Sequence, residues 1–283
     1  MQETKSTSIR STPLVCSILM SVVLIVALPA EAMLVWRSLP EVVAHEGEGG
    51  GHGHGHDRRP ATAYLRDGAG ATLMFWRPDL EQRALPDAKA DGQVAVRPSG
   101  VDNYHLLMAS RSGESGEEVA LRYVYMHGKP SGESPRRLLD AHKAALEIVP
   151  APLPREHWRY ETSKRAVFEI RLTGKPLAGQ PVQLVTTHGS LVEGVSDGQG
   201  RVEFVLPEDF AHVAPGRAAN APAEFIVSTA HTQNGFVRRT TLTAEYHANP
   251  AHWQSSVGGV VALVVGFVGG VALWRRLPTE GRA

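Results

Sequence analysis

Cysteine is almost missing from this sequence of 283 residues. The single one, Cys16, sits inside an N-terminal apolar run, so the folded part has no thiol for a disulfide, a thiolate metal site or a nucleophile. A charge of either sign is not in excess either: 29 Lys and Arg face 29 Asp and Glu, and with no net field, nucleic acid is not expected as a partner. The catalytic signatures are missing as well. There is no His-Glu-x-x-His pair, no Gly-x-Ser-x-Gly elbow and no glycine-rich loop between a strand and a helix, so no enzyme is expected. Long apolar runs occur only near the two ends. What is plentiful is histidine, thirteen in all, the usual ligand of nickel, cobalt, copper and zinc.

The start reads as an export signal over residues 1–32. Lys5 and Arg10 precede an apolar run over 14–28, and Ala30-Glu31-Ala32 is a small-x-small cleavage site; an uncleaved anchor gives the same topology. Near the other end, residues 257–274 carry no charge, and a helix over 255–275 is long enough to cross a bilayer. Arg275 and Arg276 follow at once, which puts the tail 276–283 in the cytoplasm and the bulk of the chain in the periplasm, held in a cell inner membrane. Trp253 and Trp274 bracket the run at interfacial depth. Gly258, Ala262, Gly266 and Gly270 recur every four residues and form one small-residue face, suited to a second helix from a transporter subunit or another copy of the chain.

Between these ends, residues 33–59 read as a flexible Gly/His-rich tether. In its core, HEGEGGGHGHGHD, the residues His45, His52, His54, His56 and Asp57 supply nitrogen and oxygen donors on a sterically permissive strand, fit for a divalent Ni, Co, Cu or Zn ion. The histidines beyond it are scattered; of these, His247 and His252 stand out for lying just outside the apolar helix, and His142 reads as a packed or interface residue rather than a ligand.

The rest reads as mainly β: two small sandwich-like domains, 60–149 and 150–248, joined by a short helix. In the first, apolar runs at 62–65, 71–76, 93–96, 104–109 and 119–126 alternate with turn residues such as Asp67-Gly68 and Asp91-Gly92. The helix is expected over 134–147, with Ser134 as N-cap and Pro135 in the first position. In the second, Phe168, Ile170 and Leu172 alternate with polar neighbours. Runs at 182–187, 191–195 and 201–206 follow, and 224–230 and 236–246 form a hairpin around Asn234-Gly235, an immunoglobulin-like spacing.

Residues 146–150 (LEIVP), GKPLAGQPVQLV from Gly174 and SDGQGRVEFVLP from Ser196 resemble a family of periplasmic proteins that accompany bacterial nickel and cobalt uptake systems. The phrase is similar to the repeat of carboxypeptidase-regulatory-like sandwiches, in which the glycines and the aspartate are turn residues. The resemblance implies a fold rather than a site. Signal and terminal span together imply an accessory component that captures a metal and assists a membrane transporter. A non-catalytic interaction module of the envelope is the other reading.

Overall fold

The computed structural model describes residues 33–38, 61–154, 159–254 and 256–276, with the side chains at 61, 256–259, 262 and 276 outside the description. The chain is mainly β. Its centre is a long sheet to which both halves contribute. From the N-terminal half come β3 (Thr72–Trp76), β4 (Gln82–Ala84), β6 (Val101–Ser112) and β7 (Gly116–Met126). From the C-terminal half come β13 (Pro181–Thr186), β14 (Leu191–Val195), β16 (Ala223–Gln233) and β17 (Phe236–His247). They run in the order β14-β13-β16-β17-β7-β6-β3-β4. The halves join where β17 lies parallel to β7, Val237 opposite Gly116 through Leu242 opposite Leu121.

Two smaller sheets cover opposite faces. On one face, β1 (Val35–Arg37), β2 (Ala61–Arg66) and β5 (Gln93–Val96) bury Trp36, Leu65 and Val94 against Phe75, Leu107 and Ala120. On the other, β9 (Leu146–Pro150), β11 (Arg165–Leu172), β12 (Lys175–Pro176) and β15 (Arg201–Val205) bury Ile148, Phe168 and Phe204 against Leu106, Leu121, Leu184, Phe225 and Tyr246. Alternate residues of β11, β13 and β15 point inward, as a strand with one wet face requires. β6 is instead buried on both sides, Leu106 and Met108 facing one core, Leu107 and Ala109 the other, which is why its sequence is a continuous apolar run.

Three expectations change. Residues 33–37 of the supposed tether are ordered: Trp36 is fully buried and its Nε1 donates to the Ala120 carbonyl at 3.1 Å, while Thr241 Oγ1 donates to the Leu34 carbonyl at 2.6 Å. The helix is short. α1 (Pro135–Asp140) is capped by Ser134 as expected, but Ala141 turns extended, and Glu147 Oε1 accepts from the Lys143 and Ala144 amides, so residues 146–150 enter the sheet beside β11. Strand pairing there outweighs helical spacing. Finally, the boundary expected near 149/150 is crossed by one sheet and one core containing residues from both sides. The remaining short strands are β8 (Lys129–Pro130), on β6, and β10 (Tyr160–Glu161), parallel to β17 at Tyr246 and His247.

The turn chemistry follows the sequence. Asn234 and Gly235 both take positive φ, 52° and 77°, as a two-residue hairpin demands. Asp197 Oδ1 accepts from the amides of Gln199 (2.8 Å) and Arg201 (2.9 Å), which fits its role as a turn residue.

After β17, a short 3-10 turn at Pro250–His252, capped by Asn249, leads into α2 (Ser256–Arg276). Val260, Leu263, Val265, Phe267 and Leu273 of α2 are exposed. Among the described residues no helix is long and apolar enough to cross a membrane.

Candidate functional site where two long strands part

The pairing of β7 with β17 stops at Leu121 and Leu242. Beyond that point the two strands line opposite walls of a cleft of about 680 Å³: Tyr123 and Tyr125 with Tyr104 on one side, Thr243, Glu245 and His247 on the other, Leu153 and Tyr160 beneath. The partnership changes because charge replaces the ladder. Arg122, the first residue after the last pair, is buried and donates to Glu224 (2.6 Å), Glu245 (3.1 Å) and the Ser38 hydroxyl. Glu224 also accepts from Arg37 Nε (3.0 Å) and the Ser38 amide (2.8 Å). Burial pushes the Glu224 carboxyl up, but Arg122, the Ser38 bond and Arg37 together hold it below the usual range. Four strands, β1, β7, β16 and β17, are tied by this one network.

Tyr123 lines the cleft, and its hydroxyl is buried without a hydrogen-bond partner among the described residues; burial, with Glu147 nearby, pushes its ionisation far upward. It therefore stays a neutral donor. At the lower rim Arg159 Nη1 lies 3.4 Å from His247 Nε2. Burial and the two guanidiniums of Arg159 and Arg217 push His247 down, against a smaller pull from Glu245, so its ring is neutral near pH 7 and accepts from Arg159. Arg159 and His247 also wall a smaller pocket of about 280 Å³, completed by Glu161, Arg217, Asn220 and Trp253, on the way to α2.

Three other polar clusters are anchors. Asp209 accepts from Thr186 Oγ1 (2.5 Å) and Tyr246 Oη (2.6 Å), with His188 Nδ1 at 3.5 Å, pinning the long loop after β15. Lys143 and Glu147 have side chains with no exposure and lie 3.4 Å apart, and the Lys143 ammonium donates to carbonyls at the end of α1. Ser99 Oγ donates to His105 Nε2 at 2.6 Å, while His105 Nδ1 donates to the Asn103 carbonyl at 3.0 Å. That pairing has the sense of a nucleophile and its base, but Ser99 Oγ also accepts from the Val101 amide (3.2 Å) and closes the turn into β6.

The expected metal donors His45, His52, His54, His56 and Asp57 lie outside the described residues. In sequence they fall between β1 and β2, two strands that pair antiparallel. Among the described residues no group of three or more His, Cys, Asp or Glu could hold a metal ion. His142 is half exposed, with Nδ1 3.4 Å from Glu147 Oε2. His252 lies 3.4 Å from Glu208. Of the small-residue face, Gly266 and Gly270 look onto open space, while the side chain at 262 and the surroundings of Gly258 are outside the description. Sequence reasoning singled out His247 but missed Arg122, Tyr123, Arg159 and Arg217. Only the Tyr123-x-Tyr125 alternation hinted at an aromatic wall.

No protein-family model and no curated protein matches the chain. Two solved structures align over much of it. One, described as giving insight into host cell surface retention of a 1.5-MDa bacterial ice-binding adhesin, is 11% identical over 68% of this chain, with a TM-score of 0.26. The chain spans only 58% of that adhesin structure. The other is a two-domain fibronectin type III segment of chicken tenascin, 11% identical over 67% of this chain and 94% of its own, with a TM-score of 0.22. Scores this low carry no argument, and the sandwich description rests on the facing sheets and their cores.

Proposed function

We propose that this chain is a non-catalytic accessory protein anchored in a cell inner membrane by α2, with an immunoglobulin-like body in the periplasm that holds a histidine-rich loop for capturing a divalent ion such as nickel, cobalt or copper for a membrane transporter. One observation carries the reading. Ser38, the last described residue before the histidine segment, donates from its hydroxyl to Glu245 at 3.0 Å, near the end of β17, the strand that runs on toward α2. The root of the loop and the root of the helix therefore share one end of the sandwich, which keeps captured ions close to the bilayer and raises their local concentration there. The Gly266 and Gly270 face of α2 would seat the transporter helix or a second copy.

Calorimetry on the full chain in detergent, without an affinity tag, tests this. Wild type should bind nickel or cobalt, and the His52→Ala, His54→Ala, His56→Ala triple variant should bind at least about tenfold more weakly, a loss of about 1.4 kcal/mol. Equal binding by both removes the loop from the function. The tyrosine-walled cleft favours a second reading, recognition of an envelope polypeptide; in that case Tyr123→Ala would abolish capture of the partner while the triple variant would retain it.

A further inference from the structure

The smaller pocket beside the root of α2 has an electrostatic arrangement that calls for a ligand. Arg159 and Arg217 both face it from separate segments, one before β10 and one in the loop after β15. Among the described residues neither guanidinium has a carboxylate within ion-pair distance, and unlike other such arginines the two line one concave wall. His247 shares the wall with them and already accepts from Arg159. Like charges converging on a concave surface repel unless an anion sits between them, and guanidinium forks match the paired oxygens of a phosphate group. Among the described residues Glu161 is the only carboxylate on the wall, so their side chains carry one net positive charge, which balances a phosphodiester monoanion better than a dianionic monoester. Trp253 closes the pocket on the side of α2, and an indole in that position favours the headgroup layer of a bilayer.

We propose that Arg159, Arg217 and His247 form a binding site for a phosphate group, supplied by the phosphodiester of an anionic phospholipid where the chain meets the bilayer. The lipid assignment rests on reading α2 as a membrane helix; the phosphate site itself does not. Once occupied, the site fixes the height and tilt of the sandwich above the membrane, because the lipid links the end of β17 to the headgroup plane.

The test uses the full chain in detergent. Native mass spectrometry with added phosphatidylglycerol should show one retained lipid per chain, under conditions where uncharged diacylglycerol is not retained. The Arg159→Gln, Arg217→Gln double variant should retain it about tenfold less well. Both arginines are exposed, so the variant should keep the wild-type thermal midpoint. In parallel, calorimetry with glycerophosphoglycerol and with inorganic phosphate separates the sources. Binding of the soluble diester together with the lipid supports the proposal. Binding of inorganic phosphate without lipid retention overturns the lipid assignment. No binding of any probe, or equal retention by the double variant, overturns the site. If alkaline carbonate strips the wild type from membranes, the membrane reading has failed, and the soluble diester arm still decides the pocket.

Discussion

Two ion-pair clusters join β7 to its neighbours, one at each end of its pairing with β17, and they differ in what holds the strands together around them. At the hairpin end, Glu118 sits between Arg111 (2.5 Å) and Arg239 (3.8 Å), and the Arg111 side chain is 36% exposed. The backbone ladder is complete there, so the charges add to a junction that already exists. At the end near α2 the ladder has stopped, and the side chains of Arg122 and Glu224 are 8% and 10% exposed. There the charges are the junction. The same chemistry is thus supplementary at one end and structural at the other, and burial decides which.

Breaking the buried cluster should have the largest effect. Glu224→Ala leaves Arg122 with only Glu245 and Arg37 without a carboxylate among the described residues, both side chains being largely buried, and should cost about 3 kcal/mol in urea denaturation, with little dependence on salt. The joint replacement Arg122→Met, Glu224→Leu should recover most of that loss, because the expense lies in the unpaired charge more than in the missing attraction. A cost under about 1 kcal/mol for Glu224→Ala would mean that water reaches the network. The sign with pH follows from the depressed carboxyl. The stabilisation is present above the unfolded value near 4.3 and is lost as pH falls through the lower folded value.

Titration of His105 sharpens the contrast from a second side, since this residue lies opposite Val124 at the same end of the sheet. Burial, opposed by the bond to the Asn103 carbonyl, holds it down to about 4. The unfolded chain takes up the proton first, near 6.5, so stability should fall between about pH 6.5 and 4 by up to about 1.4 kcal/mol per unit. Above that window the group contributes no pH dependence. His105→Gln should flatten this part of a stability-versus-pH curve; an unchanged slope would assign it to other groups.

The same contrast separates what the sequence revealed from what it hid. The hairpin end is local: Asn234-Gly235 announces its turn, and the strands at 93–96 and 191–195 match their apolar runs residue for residue. The end near α2 is built from partners distant along the chain, such as Arg122 with Glu224 and Arg159 with His247, and no periodicity links such residues. β1 was hidden for another reason. Met33 to Trp36 is a run of four apolar residues with no alternation to signal a strand, and all four are buried, with Leu34 and Trp36 bonded to β17 and β7. The helix expected over 134–147 failed where pairing with β11 claimed 146–150.

A smaller effect is expected at the hairpin tip. Gly235 takes φ 77°, a region that costs a residue with Cβ about 1–2 kcal/mol, and nothing lies within 4 Å of where that Cβ would stand. Gly235→Ala should therefore destabilise by about that amount through backbone strain alone. Gly116 tests the neighbouring strand differently: an added Cβ would stand 2.4 Å from the Val237 carbonyl oxygen, so Gly116→Ala should cost more than Gly235→Ala and loosen the join between β7 and β17.

The smallest effect belongs to the half-buried cluster, in which the Arg111, Arg239 and Glu118 side chains are 36%, 28% and 16% exposed. Glu118→Gln removes the charge but keeps the shape, and both arginines it leaves can turn to water, so the loss in urea denaturation should stay under about 1 kcal/mol. What identifies the cluster is its response to salt. Charges that water reaches are screened over about 10 Å at 0.1 M, so the difference between Glu118→Gln and wild type, whose arginines are partly exposed, should shrink more as salt is raised than the Glu224→Ala difference. If both differences screened alike, burial would not be what separates the two ends, and the Arg122 network would be a surface feature closing over the strands rather than the element that joins them.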